Sequence, residues 1–382
     1  MVKPRILIAL NTAWNLVNFR AGLIRALVAQ GYEVVAVAPD DAYSERLAGL
    51  GCRFIALPMD NQGTHPGRDL GLFFRFLKLL YRERPDVFLG YTAKPNIYGS
   101  LAASLLSIPV VNNIAGLGAV FIQDGWLVRL VRGLYRVALS RSAKVFFQNN
   151  DDRSLFINAK MVKAEVTDLL PGSGIDLTRF TSTVEKYGVP HSAHHGGNNF
   201  RFILIARMLK DKGVGEYVAA AKIIRARYPQ AQCCLLGFVD ALNPAAISGA
   251  EIDAWVAQGN VLYLGASDDV RVEIAEADCI VLPSYREGTP RTLLEAAAMG
   301  KPIITTDAVG CREVVDDGVN GYLCEVRDAE YLAAKMLLMI ELSLSERAAM
   351  GAAGRKKMEL QFDENIVIDK YLEAIGALVR KR

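Results

Sequence analysis

Short apolar runs, each followed by a stretch with helical amphipathic period, recur along almost the whole chain, and that alternation excludes most folds. The first series reads "RILIAL", a helix to Gln30 stopped by Gly31, "EVVAVAP", "FIALP", a helix near 69–82, "DVFLGY", a helix near 96–107, "PVVNNIAG", a helix from 126, and "KVFFQNN". Strands that are apolar without interruption, rather than in alternation, belong to parallel sheets covered by helices on both faces. The rhythm fails at "TSTVEKYGVPHSAHHGGNN", residues 181–199, which is polar and holds three of the four histidines. It restarts with "FRFILIARML", a helix near 214–227, "QCCLLGF", "NVLYLGA", "DCIVLPS", a helix over Thr289–Met299, "KPIITTD" and "GYLCEV". The expectation is an α/β protein of two doubly wound parallel sheets: residues 1–185, a linker at 186–199, and residues 200–362. Their strand carboxyl ends are expected to face a common cleft.

The bulk properties narrow the class. At 382 residues, 52% hydrophobic and 22% charged, the chain has material for two full cores. The run Ile6–Leu10 is too short for a signal-peptide core, and no stretch reaches the eighteen or so apolar residues of a membrane span. Six cysteines without a C-x-x-C pair read as buried thiols of a reducing cytoplasm. Residues 1–190 carry 22 Lys and Arg against 15 Asp and Glu, a net +7, so the remainder carries −4. No interleaved aromatic and basic motif accompanies the excess, which argues against nucleic acid. The bases lie instead on apolar helices, "GLFFRFLKLLYR" and "WLVRLVRGLYRVALSRSAK". Arg129, Arg132, Arg136, Arg141 and Lys144 of the second fit an anionic membrane surface; a core-packed helix with a solvated basic edge fits them as well. His191, His194 and His195 lack spaced acid or cysteine partners and read as a solvated linker, not a metal site.

The residues that carry chemistry cluster at strand ends of the second series. In "SYREGTPRTLLEAAAMG", residues 284–300, Ser284 and Tyr285 end a strand, and Thr289 with Pro290 form an expected N-cap and first-turn pair. Glu287 then stands on the loop before the helix, and Glu295 in its second turn. The amides around Arg291, Thr292 and Leu293 would point at an anion. Arg207 ends the strand "FRFILIA" and Lys212 opens the next helix, and these two cations with a helix terminus could hold a diphosphate without metal. There is no D-x-D motif, and no essential metal or cofactor is expected.

Glu287 and Glu295 form the E-x7-E spacing of the retaining family-4 glycosyltransferases of the GT-B fold, and the segment "VLPSYREGTPRTLLEAAAMGKPIITTDAVGCREVVDDGVNGYL" resembles that family throughout. The resemblance implies that Arg207 and Lys212 neutralise the leaving diphosphate of a sugar nucleotide. It implies further that Glu295 meets the ribose, that Glu287 faces the donor sugar, and that Gly288, Thr289, Pro290, Arg291, Thr292 and Leu293 line the donor site. "YTAKPNIYGSLAA" and "PVVNNIAGLGAVF" are similar to bacterial members that add an N-acetylhexosamine to a sugar on polyprenyl diphosphate. On that likeness Lys94, Asn96, Asn113 and Gly116 would serve the acceptor. Many members carry a histidine where this chain has Asn112 and Asn113, and an amide cannot act as a base.

The resulting expectation is a retaining transferase that moves a sugar such as GalNAc or GlcNAc from a UDP conjugate to a polyprenyl-diphosphate-linked glycan, peripheral on the cytoplasmic membrane face. Its last helix, 363–382, would pack back on the first domain. Three rivals stay open: a UDP-sugar epimerase of the same fold, a non-catalytic membrane scaffold, and a nicotinamide-dependent dehydrogenase. The last would need glycines after Leu10, where Asn11-Thr12-Ala13 stands.

Overall fold

The computed structural model describes residues 3–60, 65–117, 126–181, 200–240 and 243–380. It divides into two compact units, Met1–Ser173 with Glu364–Arg382, and Gly174–Asp363.

The first unit holds seven strands: β1 (Arg5–Ala9), β2 (Glu33–Ala38), β3 (Arg53–Ala56), β4 (Val87–Tyr91), β5 (Val110–Ile114), β6 (Lys144–Phe147) and β7 (Thr167–Leu169). All pair in parallel, in the order β3-β2-β1-β4-β5-β6-β7. Successive strand residues alternate between faces. Leu7, Ala9, Val35, Val37 and Phe88 meet α3 (Pro66–Glu83) and α4 (Ser100–Leu105), and Val145 and Phe147 meet α5 (Trp126–Leu139) and α6 (Asn150–Asn158). On the opposite face Ile6, Ile8, Val34, Ala36 and Leu89 pack against α1 (Ala13–Phe19), α2 (Ala21–Ala29) and the C-terminal helix Glu364–Val379. Burial on both faces is why these strands read as unbroken apolar runs.

The second unit repeats the plan with β8 (Arg201–Ile205), β9 (Gln232–Leu236), β10 (Leu262–Tyr263), β11 (Cys279–Leu282), β12 (Ile303–Thr306) and β13 (Gly321–Cys324), all parallel, in the order β10-β9-β8-β11-β12-β13. Phe202, Leu204, Cys233 and Val281 face α7 (Val214–Arg227) and α11 (Ala329–Glu341). Ile203, Ile205, Cys234 and Ile280 face α9 (Arg271–Glu276) and α10 (Arg291–Ala298). Around them lie α8 (Gly249–Ala257) and α12 (Leu344–Lys357); the C-terminal helix is α13. All six cysteines are buried and free.

The unit boundary falls at Ser173, not at 185. Ile175 and Phe180 are buried in the second core with Met358 and Phe362, and the Ile175 N–H donates to the Phe362 carbonyl at 2.8 Å. The expected linker 186–199 and its histidines lie outside the described residues. Helix α5 ends at Leu139, so Lys144 is the first residue of β6 and not part of a basic helix; it pairs with Asp168 at 3.5 Å. Among the described residues no helix is long and apolar enough to cross a membrane.

Candidate active site

In each sheet the strand order reverses once, between β1 and β4 in the first and between β8 and β11 in the second. Connections leave in opposite directions at such a point and open a crevice beyond the strand ends, where doubly wound sheets bind ligands. Arg207 follows β8 by two residues, and Ser284 to Glu287 follow β11.

Glycine brings the two segments together. Lys210–Lys212 forms a single 3-10 turn that closes on Gly213 at φ 70°. A Cβ there would stand 2.1 Å from the Pro283 carbonyl oxygen, so only glycine lets this turn lie against the end of β11. The Tyr285 N–H then donates to the Asp211 carbonyl at 2.9 Å, and the Ser284 hydroxyl lies 3.1 Å from the same oxygen. In consequence Lys212 Nζ stands 2.5 Å from Glu287 Oε1, which also accepts from the Ser284 hydroxyl at 2.9 Å. Both side chains are largely buried. The sequence placed Lys212 and Glu287 at one site but not in contact; the structure makes them a neutralising pair.

The Glu287 loop is braced from beneath. Its N–H donates to the Val309 carbonyl at 2.9 Å, and Gly310 at φ 86° passes close under it. The Thr306 hydroxyl donates to the Ser284 carbonyl, and the Thr305 hydroxyl to the Leu282 carbonyl at 2.7 Å. Burial, and then the nearby Glu287, push the Cys311 thiol up to about 12, so it is no nucleophile. Arg207 is half open, with 48% of its side chain exposed, and its ion pair to Asp240 is loose at 3.9 Å.

Helix α10 begins later than expected. Its N-cap is Pro290, at φ −72° and ψ 116°, and no side chain caps it. Thr289, one residue earlier, does not take the cap. The Leu293 N–H, expected to face an anion, donates instead to the Pro290 carbonyl at 3.1 Å. The Thr292 hydroxyl donates to the Ile205 carbonyl at 3.1 Å and ties α10 to β8. Glu295 Oε1 accepts from Arg291 Nε at 3.1 Å, and Arg291 Nη1 reaches the Gly174 carbonyl at 3.0 Å. Burial raises the Glu295 carboxyl above its ordinary 4.5, and Arg291 offsets part of that rise.

At the switch point of the first sheet, Thr92 is held at φ 58°, unusual for a β-branched residue. Lys94 follows, and its ammonium is bonded to Asp69 of α3 at 2.8 Å. Asn96 and Asn113 are buried. Asn96 Nδ2 donates to the Asn113 carbonyl at 2.8 Å, and its Oδ1 accepts from Asn112 Nδ2 at 2.9 Å. Asn113 Nδ2 donates to the Tyr371 hydroxyl of α13 at 2.9 Å, under the Arg20 guanidinium that covers the Tyr91 ring. Gly116 is exposed at φ 127°. Tyr371 and Arg20 were not singled out from the sequence, because neither lies in a motif and the network closes only through the fold. Among the described residues no cluster of His, Cys, Asp and Glu could hold a metal.

Two family models match the chain in succession: "Glycosyl transferase 4-like domain" over residues 18–172 and "Glycosyl transferases group 1" over residues 191–357. The chain belongs to the glycosyltransferases. The transferase is 29% identical over 379 residues, 96% of each chain, to the N,N'-diacetylbacillosaminyl-diphospho-undecaprenol alpha-1,3-N-acetylgalactosaminyltransferase of Campylobacter jejuni. It is 24% identical to the Escherichia coli UDP-Gal:alpha-D-GlcNAc-diphosphoundecaprenol alpha-1,3-galactosyltransferase, over 69% of this chain and 68% of that one. Its fold matches that of Anabaena HepE in complex with UDP-glucose with a TM-score of 0.76 at 20% identity, covering 98% and 99% of the two chains. Two parallel-sheet units of this kind make the transferase a GT-B protein.

Proposed function

We propose that the transferase moves an N-acetylhexosamine, such as N-acetylgalactosamine or N-acetylglucosamine, from its UDP conjugate to a glycan carried on polyprenyl diphosphate, with retention at the anomeric carbon. The observation that carries this reading is the Lys212–Glu287 pair at the β8/β11 switch point, with the half-open Arg207 at the end of β8. In it, the unit Gly174–Asp363 binds the donor. Arg207 and Lys212 take the charge that grows on the diphosphate as the glycosidic bond breaks, the costly step of the reaction. Glu287 faces the sugar, Glu295 accepts from the ribose hydroxyls, and the 288–293 segment lines the site. The acceptor hydroxyl attacks on the face the nucleotide leaves, so no carboxylate forms a covalent intermediate, and no metal is invoked. On the acceptor side Lys94 and Gly116 face the ligand, while Asn96 and Asn113 hold the loop ends beneath them. The activities for which the two bacterial relatives are named support this substrate class. Such an acceptor places the enzyme on the inner face of the cytoplasmic membrane, with the exposed Arg129 and Arg141 available to anionic lipid; Arg136 instead caps α6 through the Ala159 and Lys160 carbonyls.

Binding of donor to the native state alone raises stability. UDP-N-acetylhexosamines at about a hundred times their Kd are expected to stabilise the protein by about 2.7 kcal/mol in a thermal melt, and GDP-sugars to leave it unchanged. Transfer to a polyprenyl-diphosphate-linked sugar should persist in excess EDTA and yield the α-linked product. Release of epimerised sugar without acceptor would point to the epimerase instead.

Glu295→Gln separates binding from stability. Because the folded carboxyl titrates above its unfolded value, its stabilising contribution is complete below about pH 4.5 and is lost as pH rises through the folded pKa. The neutral amide escapes that loss, so the variant should melt no lower than wild type at pH 7. Donor binding should nevertheless weaken by roughly ten- to a hundredfold, as for a lost charge-assisted hydrogen bond. Unchanged donor KM would remove Glu295 from the ribose site.

A further inference from the structure

Helices α3, α4 and α5 lie side by side on one face of the first sheet. Residues 66–141 hold ten Lys and Arg against four Asp and Glu. Helix α3 buries Leu72, Phe76, Leu79 and Leu80, yet it also turns large apolar side chains outward: Leu70 is 57% exposed, Phe74 56% and Tyr81 64%. Leu105 of α4 adds another at 67%. Between them stand the exposed bases Arg75, Lys78 and Arg82. Both acids of α3 are withdrawn from this face: Asp69 is buried and bonded to Lys94, and Glu83 is buried and paired with Arg53 and Arg82. The outward face of α3 is therefore aromatic, aliphatic and cationic, with no exposed acid.

We propose that this face of α3, continued by Leu105, docks on an anionic lipid bilayer, with Phe74 and Tyr81 seated at the headgroup level and Arg75, Lys78 and Arg82 reaching phosphates on either side. Bases with long apolar stems beside outward aromatics match that boundary, and each base near an anionic surface adds to the attraction. A protein partner fits less well, because Lys78 stands in the middle of the stripe and lysine is depleted from protein interfaces. The proposal shifts the contact from α5, where Arg136 is engaged by backbone carbonyls, to α3. It deepens the lipid-linked acceptor reading by naming the membrane contact of that enzyme, and its test keeps the two apart.

Full-length protein is sedimented with phosphatidylcholine vesicles, with and without phosphatidylglycerol. Wild type should partition onto the anionic vesicles and be released by salt. Phe74→Ser combined with Tyr81→Ser should lower partitioning by about tenfold or more. Arg75→Ser combined with Lys78→Ser should abolish the preference for phosphatidylglycerol. Because all four side chains point outward, thermal melts should not move, and transfer to a short-chain, water-soluble acceptor should be kept by both variants. Vesicle binding that survives the Phe74 and Tyr81 changes, or is missing in wild type, overturns the docking face. So does a wild-type dimer that these changes dissociate, since a second copy would then be the occupant. Absence of transfer to the soluble acceptor by a wild type that binds vesicles counts against the transferase reading alone.

Discussion

Replacing Lys212 by alanine is expected to lower kcat for sugar transfer by about 100- to 1,000-fold, the loss typical when one fixed donor to a developing anion is removed. Glu287→Gln should fall as far. Two effects are mixed in each single variant, because the Lys212–Glu287 contact is also a largely buried ion pair. Lys212→Ala strands the carboxylate, which keeps the Ser284 hydroxyl as donor, and the fold should lose roughly 1–3 kcal/mol. Glu287→Gln strands the ammonium, but its amide oxygen can still accept from both partners, so its stability cost should be smaller.

The double variant tells the two effects apart. If the pair were only a structural tie, removing both charges would restore stability and turnover together, since neither partner is left uncompensated. The transferase reading expects stability to recover towards wild type while kcat stays at the level of the worse single variant. Thermal melts and single-turnover transfer on the same four proteins give the coupling energies. Turnover within threefold of wild type in either single variant would sink the proposed roles.

Which parts of this site could be read from the chain follows from how far each depends on distant residues. The placement of Arg207, Lys212 and Glu287 beyond strand ends at a switch point was legible because each follows a strand whose apolar run is unmistakable. Their direct contact was not, because residues 212 and 287 meet only when Gly213 lets one turn lie against Pro283. Asn112 and Asn113 in "PVVNN" look like polar residues at a strand end, available to substrate. They are buried instead, one bonded to Ser100 and Ser142, the other to Tyr371, 258 residues away in sequence. The α10 start was misread by one residue because Thr289 has the side chain of a cap while Pro290 takes its place. Domain count and strand succession needed only local pattern; the boundary at Ser173 needed the packing of Ile175 and Phe180.

Gly310 is where that long-range dependence should show most clearly in activity. A Cβ there would stand 2.3 Å from the Glu287 carbonyl oxygen and 2.6 Å from that of Gly288. The loop above cannot simply retreat, because the Glu287 N–H is bonded to the Val309 carbonyl next door. Gly318 supplies the control within the same unit: its φ of 75° is as left-handed as the 86° of Gly310, but nothing lies within 4 Å of where its Cβ would be. Alanine at either position meets the same backbone penalty, about 1–2 kcal/mol. Only at 310 must it also push the Glu287 carbonyl outward by an ångström or so, and a displacement of about 1 Å in a reacting group can cost roughly a hundredfold in rate. Gly310→Ala should therefore lose about 3 kcal/mol or more and lower kcat by about 100-fold at temperatures where it remains folded. Gly318→Ala should lose only the backbone term and turn over as wild type. Equal kcat values for the two variants, measured below both melting transitions, would detach the Val309–Gly310 turn from the placement of Glu287 and leave that carboxylate held by Lys212 and Ser284 alone.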